Sequence, residues 1–160
     1  YDGINMNFKD EVQAYNYFTE NIGLDRYLET LLKIIKECSD DCTLIGFSVG
    51  ASVIWQLSQS TSERITKSVK HAICFYGSQI RHLTKLSVKF EVKLIFPKSE
   101  PHFDVSALQR VLASKNKVTT TQVDFLHGFM NTHSNNFHQV GYQSHLELLR
   151  QKVKLSSLHT

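Results

Sequence analysis

Proline is scarce in this chain: two in 160 residues, beside seven glycines, three cysteines and one tryptophan. A composition so poor in proline excludes collagen-like repeats and proline-rich linkers. The cysteines Cys38, Cys42 and Cys74 form an odd set without a spaced framework, which excludes a disulfide scaffold and favours reduced thiols. No apolar run approaches the roughly 18 residues that a membrane span requires. The opening stretch YDGINMNFKDE is polar and carries no signal-peptide core, so a cytoplasmic location is expected. An excess of one charge is missing too. Lys and Arg number 18 against 15 Asp and Glu, and the basic residues are scattered with no interleaved aromatics, so no nucleic-acid partner is expected.

What remains is an ordinary globular composition, 41% hydrophobic, with no low-complexity tract and no internal repeat. The length suits a single domain over 1–160. Phe8, Val12, Tyr15, Phe18 and Ile22 recur at spacings of three and four and predict one face of a helix, with Asp10 as N-cap and an end before Gly23. Tyr27, Leu28, Leu31, Leu32, Ile34 and Ile35 predict a second helix over 25–37, broken by the polar CSDD cluster.

Three short apolar runs follow at 42–47, 71–77 and 91–97, each bounded by turn residues. Lacking clean alternation, they read as parallel strands buried on both faces. A fourth run at 117–125 alternates more and reads as a strand nearer an edge. Helical patterns at 49–58, 105–114 and 139–153 give the order α, α, β, α, β, β, α, β, α. Strands alternating with helices predict an α/β fold with a mostly parallel sheet flanked by helices. The stretch IRHLTKLSVKFEVKLI after the second strand leaves little room for a full crossover helix, though it admits a short one.

The first strand runs straight into Gly46-Phe-Ser48-Val-Gly50 and then into a helical pattern. A serine hydroxyl that attacks a substrate must project from the sheet edge, and a sharp strand-to-helix turn with the serine at its apex achieves this. Glycine at 46 and 50 is then expected because the turn leaves no room for side chains there. Small Ala51 fits where the helix approaches the sheet, and the Val49 N–H at the helix start is a candidate oxyanion donor. A glycine-flanked βα turn that merely packs tightly is the plain alternative.

A serine nucleophile needs a base and an acid to orient that base, and in an α/β-hydrolase arrangement they follow in the order serine, acid, histidine. Of the eight histidines, His127 stands directly after the fourth strand in FLHGFMN, where Gly128 permits a tight loop and Phe129 can pack beneath the ring. His71 and His145 read as structural or surface residues. His133 and His138 beside His127 match no metal-ligand spacing, and neither a metal nor another cofactor is expected. For the acid, Glu100 directly after the third strand is the first choice and Asp104 the alternative, the latter also suited to capping the next helix. Arg81 and His82, after FYGSQI, are positioned to meet an anionic substrate group or to serve as solvated loop charges.

With GFSVGA at the elbow, CFYG at 74–77, IFPKSEPHF after the third strand and HGF at 127–129, the chain resembles the dienelactone hydrolase family of α/β hydrolases over most of its length. The resemblance implies an α/β-hydrolase-like fold and a hydrolase acting on a small-molecule ester, lactone or related acyl bond. In it, Ser48 would be the nucleophile, His127 the general base and Glu100 or Asp104 the acid. Founding members carry cysteine at the elbow and aspartate as the acid, whereas this chain has Ser48 and Glu100. The family also places strands and an oxyanion-contributing loop before the first helix, so the chain, which begins with Tyr, is expected to continue upstream, YDG being the loop that leaves an earlier strand. Without those strands the first apolar strand would stand at an exposed edge. A non-catalytic relative that keeps the elbow as architecture is one alternative. A small-molecule binding module served by Phe103, Phe129 and Phe137 is another.

Overall fold

The computed structural model describes residues 6–157, so the proposed loop at 1–3 lies outside the described residues. Its elements are α1 (Glu11–Asn21), α2 (Gly23–Glu37), β1 (Cys42–Phe47), α3 (Val49–Leu57), α4 (Glu63–Ser68), β2 (Val69–Phe75), a 3₁₀ turn (Ser78–His82), β3 (Glu91–Phe96), α5 (Val105–Ala113), β4 (Val118–Gln122) and α6 (Gln139–Ser157). The four strands form one sheet in the order β1-β2-β3-β4, with every neighbouring pair parallel. The fold is therefore α/β, a parallel sheet flanked by helices. Among the described residues no helix is long and apolar enough to cross a membrane.

Side-chain alternation on β2 and β3 explains the unbroken apolar runs. Ala72, Cys74, Leu94 and Phe96 enter one core with Ala51, Ile54, Trp55 and Leu57 of α3 and Val105, Leu108 and Leu112 of α5. Ile73, Phe75 and Ile95 enter a second core on the opposite face with Tyr76, Phe129, Met130 and Leu149. Successive residues on a strand point to opposite faces, so a strand covered on both must be apolar throughout.

Several elements differ from the sequence reading. The short α4, with Ser62 at its N-cap position, was not expected, because one and a half turns with a single buried residue, Ile65, carry almost no periodic signal. β4 ends at Gln122 rather than at 125, since Val123 onward enters the turn that carries His127. Between β2 and β3 only the 3₁₀ turn and a loop cross over. The apolar stripe of α1 is largely uncovered: Phe18 is buried, but Val12 and Tyr15 are 67% and 46% exposed. α1 lies at the periphery against α2, where Phe18 meets the Tyr27 ring at 6.0 Å, so periodicity located a face but not its depth. Asp10 is the N-cap as expected, accepting from the Gln13 N–H at 2.8 Å.

β1 stands at the sheet edge, pairing with β2 alone among the described residues, and its Ile45 and Phe47 are 37% and 39% exposed. The two glycines on either side of Ser48 are not equivalent. A Cβ on Gly46 would sit 2.7 Å from the Gly50 carbonyl carbon and 2.8 Å from the Ala51 nitrogen, backbone atoms that cannot step aside. A Cβ on Gly50 would meet only the Tyr27 hydroxyl at 3.5 Å, an ordinary contact. The expectation that the turn forbids side chains at both positions is thus corrected: the helix crosses over Gly46, while Gly50 points away from the sheet.

Gly46→Ala is expected to destabilise the fold by about 1–3 kcal/mol or prevent folding, as overpacking against fixed atoms does. Gly50→Ala is expected to be neutral or to stabilise by up to about 1 kcal/mol, the helix-propensity gain over glycine. Urea unfolding of the two variants beside the parent checks the asymmetry.

Candidate active site

In a parallel sheet every strand delivers its carboxyl end to the same edge, and loops there can converge on one point. Ser48 follows β1 without an intervening residue, Glu100 lies in the loop after β3, and His127 lies in the loop after β4. All three arrive at that edge.

Ser48 has φ 49° and ψ −112°, a left-handed conformation that L residues rarely adopt and that costs on the order of 1–3 kcal/mol. Its surroundings hold it there. The Ser48 N–H donates to the Phe75 carbonyl at 2.9 Å, and its own carbonyl accepts from the Ser52 N–H and the buried Ser52 hydroxyl, each at 3.2 Å. Val49 opens α3, where helix geometry leaves the N–H without an acceptor inside the helix. Tyr76, at the end of the adjacent strand, is a second non-glycine at positive φ, 40°, pinned by its N–H to the Ile95 carbonyl at 2.8 Å.

The Ser48 Oγ lies 3.0 Å from His127 Nε2, and His127 Nδ1 lies 2.7 Å from Glu100 Oε1. A carboxylate only accepts, so Nδ1 carries the proton and Nε2 is left to accept from the serine hydroxyl. Geometry thus selects the tautomer a general base requires. The Glu100 side chain is 7% exposed and that of His127 32%, so the pair is shielded while the ring still reaches the cleft. Immediately after Glu100 the chain folds back in a bridge to Phe103, and Lys98 N–H donates to the Phe125 carbonyl at 2.7 Å, fastening the acid loop to the histidine loop. Gly128, at φ 87°, makes the turn after His127, and the Asn136 amide donates to the His127 carbonyl at 2.9 Å.

Other candidates sit elsewhere. Asp104 caps α5, its Oδ1 accepting from the Ala107 N–H at 3.0 Å, while Glu100 holds the histidine. Arg81 donates to the Ser78 carbonyl at 2.7 Å and lies over the Phe103 ring at 5.4 Å, and it is not among the residues lining the cleft. His138 accepts from the Gly141 N–H at the start of α6, and His145 is held among the Phe75, Phe125 and Phe129 rings. Among the described residues no group of three or more His, Cys, Asp or Glu is arranged to hold a metal ion. Phe129 does not pack beneath His127; it is fully buried, and Tyr76 takes that place at 4.8 Å between ring centroids, with Phe129 behind it at 5.6 Å.

The serine and histidine open into a cleft of about 420 Å³ lined also by Phe47, Tyr76, Met130 and Glu11. Burial pushes the Tyr76 phenol well up from its ordinary value, a bond with the Met130 backbone works against this, and the Glu11 carboxylate adds to the rise. Tyr76 and Glu11 escaped the sequence reading. CFYG carries no chemical signal for the tyrosine, and a carboxylate in the first turn of a helix, as Glu11 is in α1, is ordinary there without any site.

No family model matches the sequence. "Uncharacterized protein YczH" of Bacillus subtilis (strain 168) is 32% identical over 145 residues, which span 89% of this chain and 69% of that protein. The chain belongs to the YczH family. The YczH match covers most of the chain, and the name of this relative carries no activity to transfer.

Exchanging the two carboxylates separates their roles. Asp104→Ala is expected to cost about 1 kcal/mol of stability as a lost helix cap and to leave the His127 ring nitrogen resonances in place. Glu100→Ala is expected to move those resonances toward a mixture of tautomers. Nitrogen NMR of the imidazole side chains reads both.

Proposed function

We propose that the chain is a serine hydrolase of the dienelactone hydrolase type, with an α/β-hydrolase-like fold, which cleaves an ester, lactone or related acyl bond of a small molecule through an acyl-Ser48 intermediate. The observation that carries this reading is the line from Ser48 Oγ to His127 Nε2 at 3.0 Å and from His127 Nδ1 to Glu100 at 2.7 Å. The strained serine at a strand-to-helix turn and the parallel sheet support it.

In this mechanism the Ser48 oxygen bonds to the substrate carbonyl carbon as its proton passes to His127 Nε2. Charge develops on the former carbonyl oxygen, beside the positive end of α3 and the Val49 N–H. Collapse of the tetrahedral species breaks the bond to the leaving oxygen, which takes the proton from His127. Water then adds to the acyl carbon, giving a proton to His127, and expulsion of the Ser48 oxygen with return of that proton releases the acid. Glu100 stays ionised throughout and stabilises the imidazolium while holding the ring in orientation.

Glutamate can serve where aspartate is usual because its position in the loop matches its length: Oε1 reaches Nδ1 at hydrogen-bond distance with the side chain almost fully buried.

A fluorophosphonate probe, which modifies only an activated serine, is expected to label the parent protein. Ser48→Ala is expected to remove labelling entirely and His127→Ala to slow it by a factor of about 10³ or more, as loss of a triad base does. Circular dichroism establishes folding in each case. A folded parent that resists the probe would contradict the hydrolase reading and favour a non-catalytic protein that keeps the elbow as architecture.

A further inference from the structure

We propose that the cleft is selective for esters bearing an ammonium group, with Glu11 as the residue that sets this preference and the exposed ring of Phe47 as its support. The inference rests on the reading of Ser48 as a hydrolase nucleophile and names the substrate class of that site.

Glu11 is the first residue of α1, yet its carboxylate belongs to the wall of the serine cleft. Its Oε1 accepts from the Asn131 amide at 2.8 Å, across 120 positions of sequence, and lies 3.8 Å from where a Cβ on Gly128 would be, directly beside the residue that follows His127. One bond therefore holds the charge against the histidine loop while leaving the second carboxylate oxygen for a ligand. Among the described residues lining the cleft there is no lysine or arginine, and Arg81, in the turn after β2, is turned onto Ser78 and Phe103. An anionic substrate would thus meet an uncompensated negative wall, and a cationic one a complementary wall.

An aromatic ring adds to this preference. Phe47 is 39% exposed at the cleft and is stacked on Phe75 at 5.0 Å, which fixes the plane of its ring. Tyr76, 3% exposed and packed between His127 and Phe129, backs this wall without offering a free face. A carboxylate beside an exposed ring recognises alkylammonium groups through ion pairing and cation–π attraction, and Met130 supplies a polarizable surface for the methyl groups.

The direct test compares isosteric esters on the full chain. A choline ester is set against its neohexyl counterpart, and a trimethylammonio-acyl ester against its tert-butyl-acyl counterpart, so that the ammonium lies on the alcohol side in one pair and on the acyl side in the other. In at least one pair the cationic ester is expected to be favoured about tenfold in kcat/KM, and an anionic hemiester to be disfavoured relative to neutral. Glu11→Gln keeps the acceptor for Asn131 and removes the charge; it is expected to bring the cationic-to-neutral ratio close to one. The parent's ratio is also expected to fall as salt rises. Equal turnover of cationic and neutral esters in both pairs, or a preference that survives Glu11→Gln, would overturn the proposal.

A binding measurement separates this proposal from the hydrolase reading. Phenyltrimethylammonium is expected to bind folded Ser48→Ala protein, with affinity about fivefold weaker when Glu11→Gln is added, by calorimetric titration. If the parent resists fluorophosphonate yet the cation binds with this dependence, the hydrolase reading fails and the cation site stands. If labelling succeeds and no cation binds, the hydrolase stands and the cation site fails.

Discussion

The turn at Ser48 is the constraint on which the rest of the site depends. A serine held at positive φ with its N–H bound to the neighbouring strand and its carbonyl bound twice to Ser52 has little freedom to relax, and the missing side chain at Gly46 is what lets α3 pass over the strand end. The strain is offset by burial on both faces of the sheet, through α3 and α5 on one side and Phe129 and Leu149 on the other. Such an arrangement fixes the serine oxygen before any ligand arrives. It also places the N-terminus of a helix behind that oxygen, where charge stabilisation is already oriented.

Parallel strand order converts this local feature into a site. Because β1, β3 and β4 all end at one edge, residues separated by 79 and 27 positions in sequence meet within hydrogen-bond distance. The loops after β3 and β4 are tied by the bond from Lys98 to Phe125, so Glu100 and His127 share one frame instead of moving on independent loops. The tautomer of His127 follows from that frame alone.

Much of this was legible in the sequence because it rests on short-range chemistry. Glycine two residues before the serine, an apolar run before it and a helical pattern after it mark the strand, turn and helix at 42–57. Glu100 and His127 were readable from their places just after strands. Features that depend on tertiary placement were not. Helix periodicity on α1 could not reveal that Val12 and Tyr15 face outward. Glycine at 50 looked as necessary as glycine at 46, yet only the distances to backbone atoms tell them apart. Arg81 follows a strand in sequence but turns onto Phe103, and the ring beneath His127 comes from Tyr76 on a neighbouring strand instead of from the adjacent Phe129. Glu11, far away in the chain, enters the cleft only because α1 folds against the histidine loop.

Intact-mass spectrometry of the protein quenched during reaction with an activated acyl ester, followed by peptide mapping of the adduct, asks whether Ser48 is an acyl acceptor prepared by His127 and Glu100. One acyl group per chain is expected, carried on the peptide containing Ser48 and lost on further incubation as water completes the cycle. A folded protein that gains no mass, or that carries its acyl group on a lysine or cysteine with Ser48 unmodified, would contradict it.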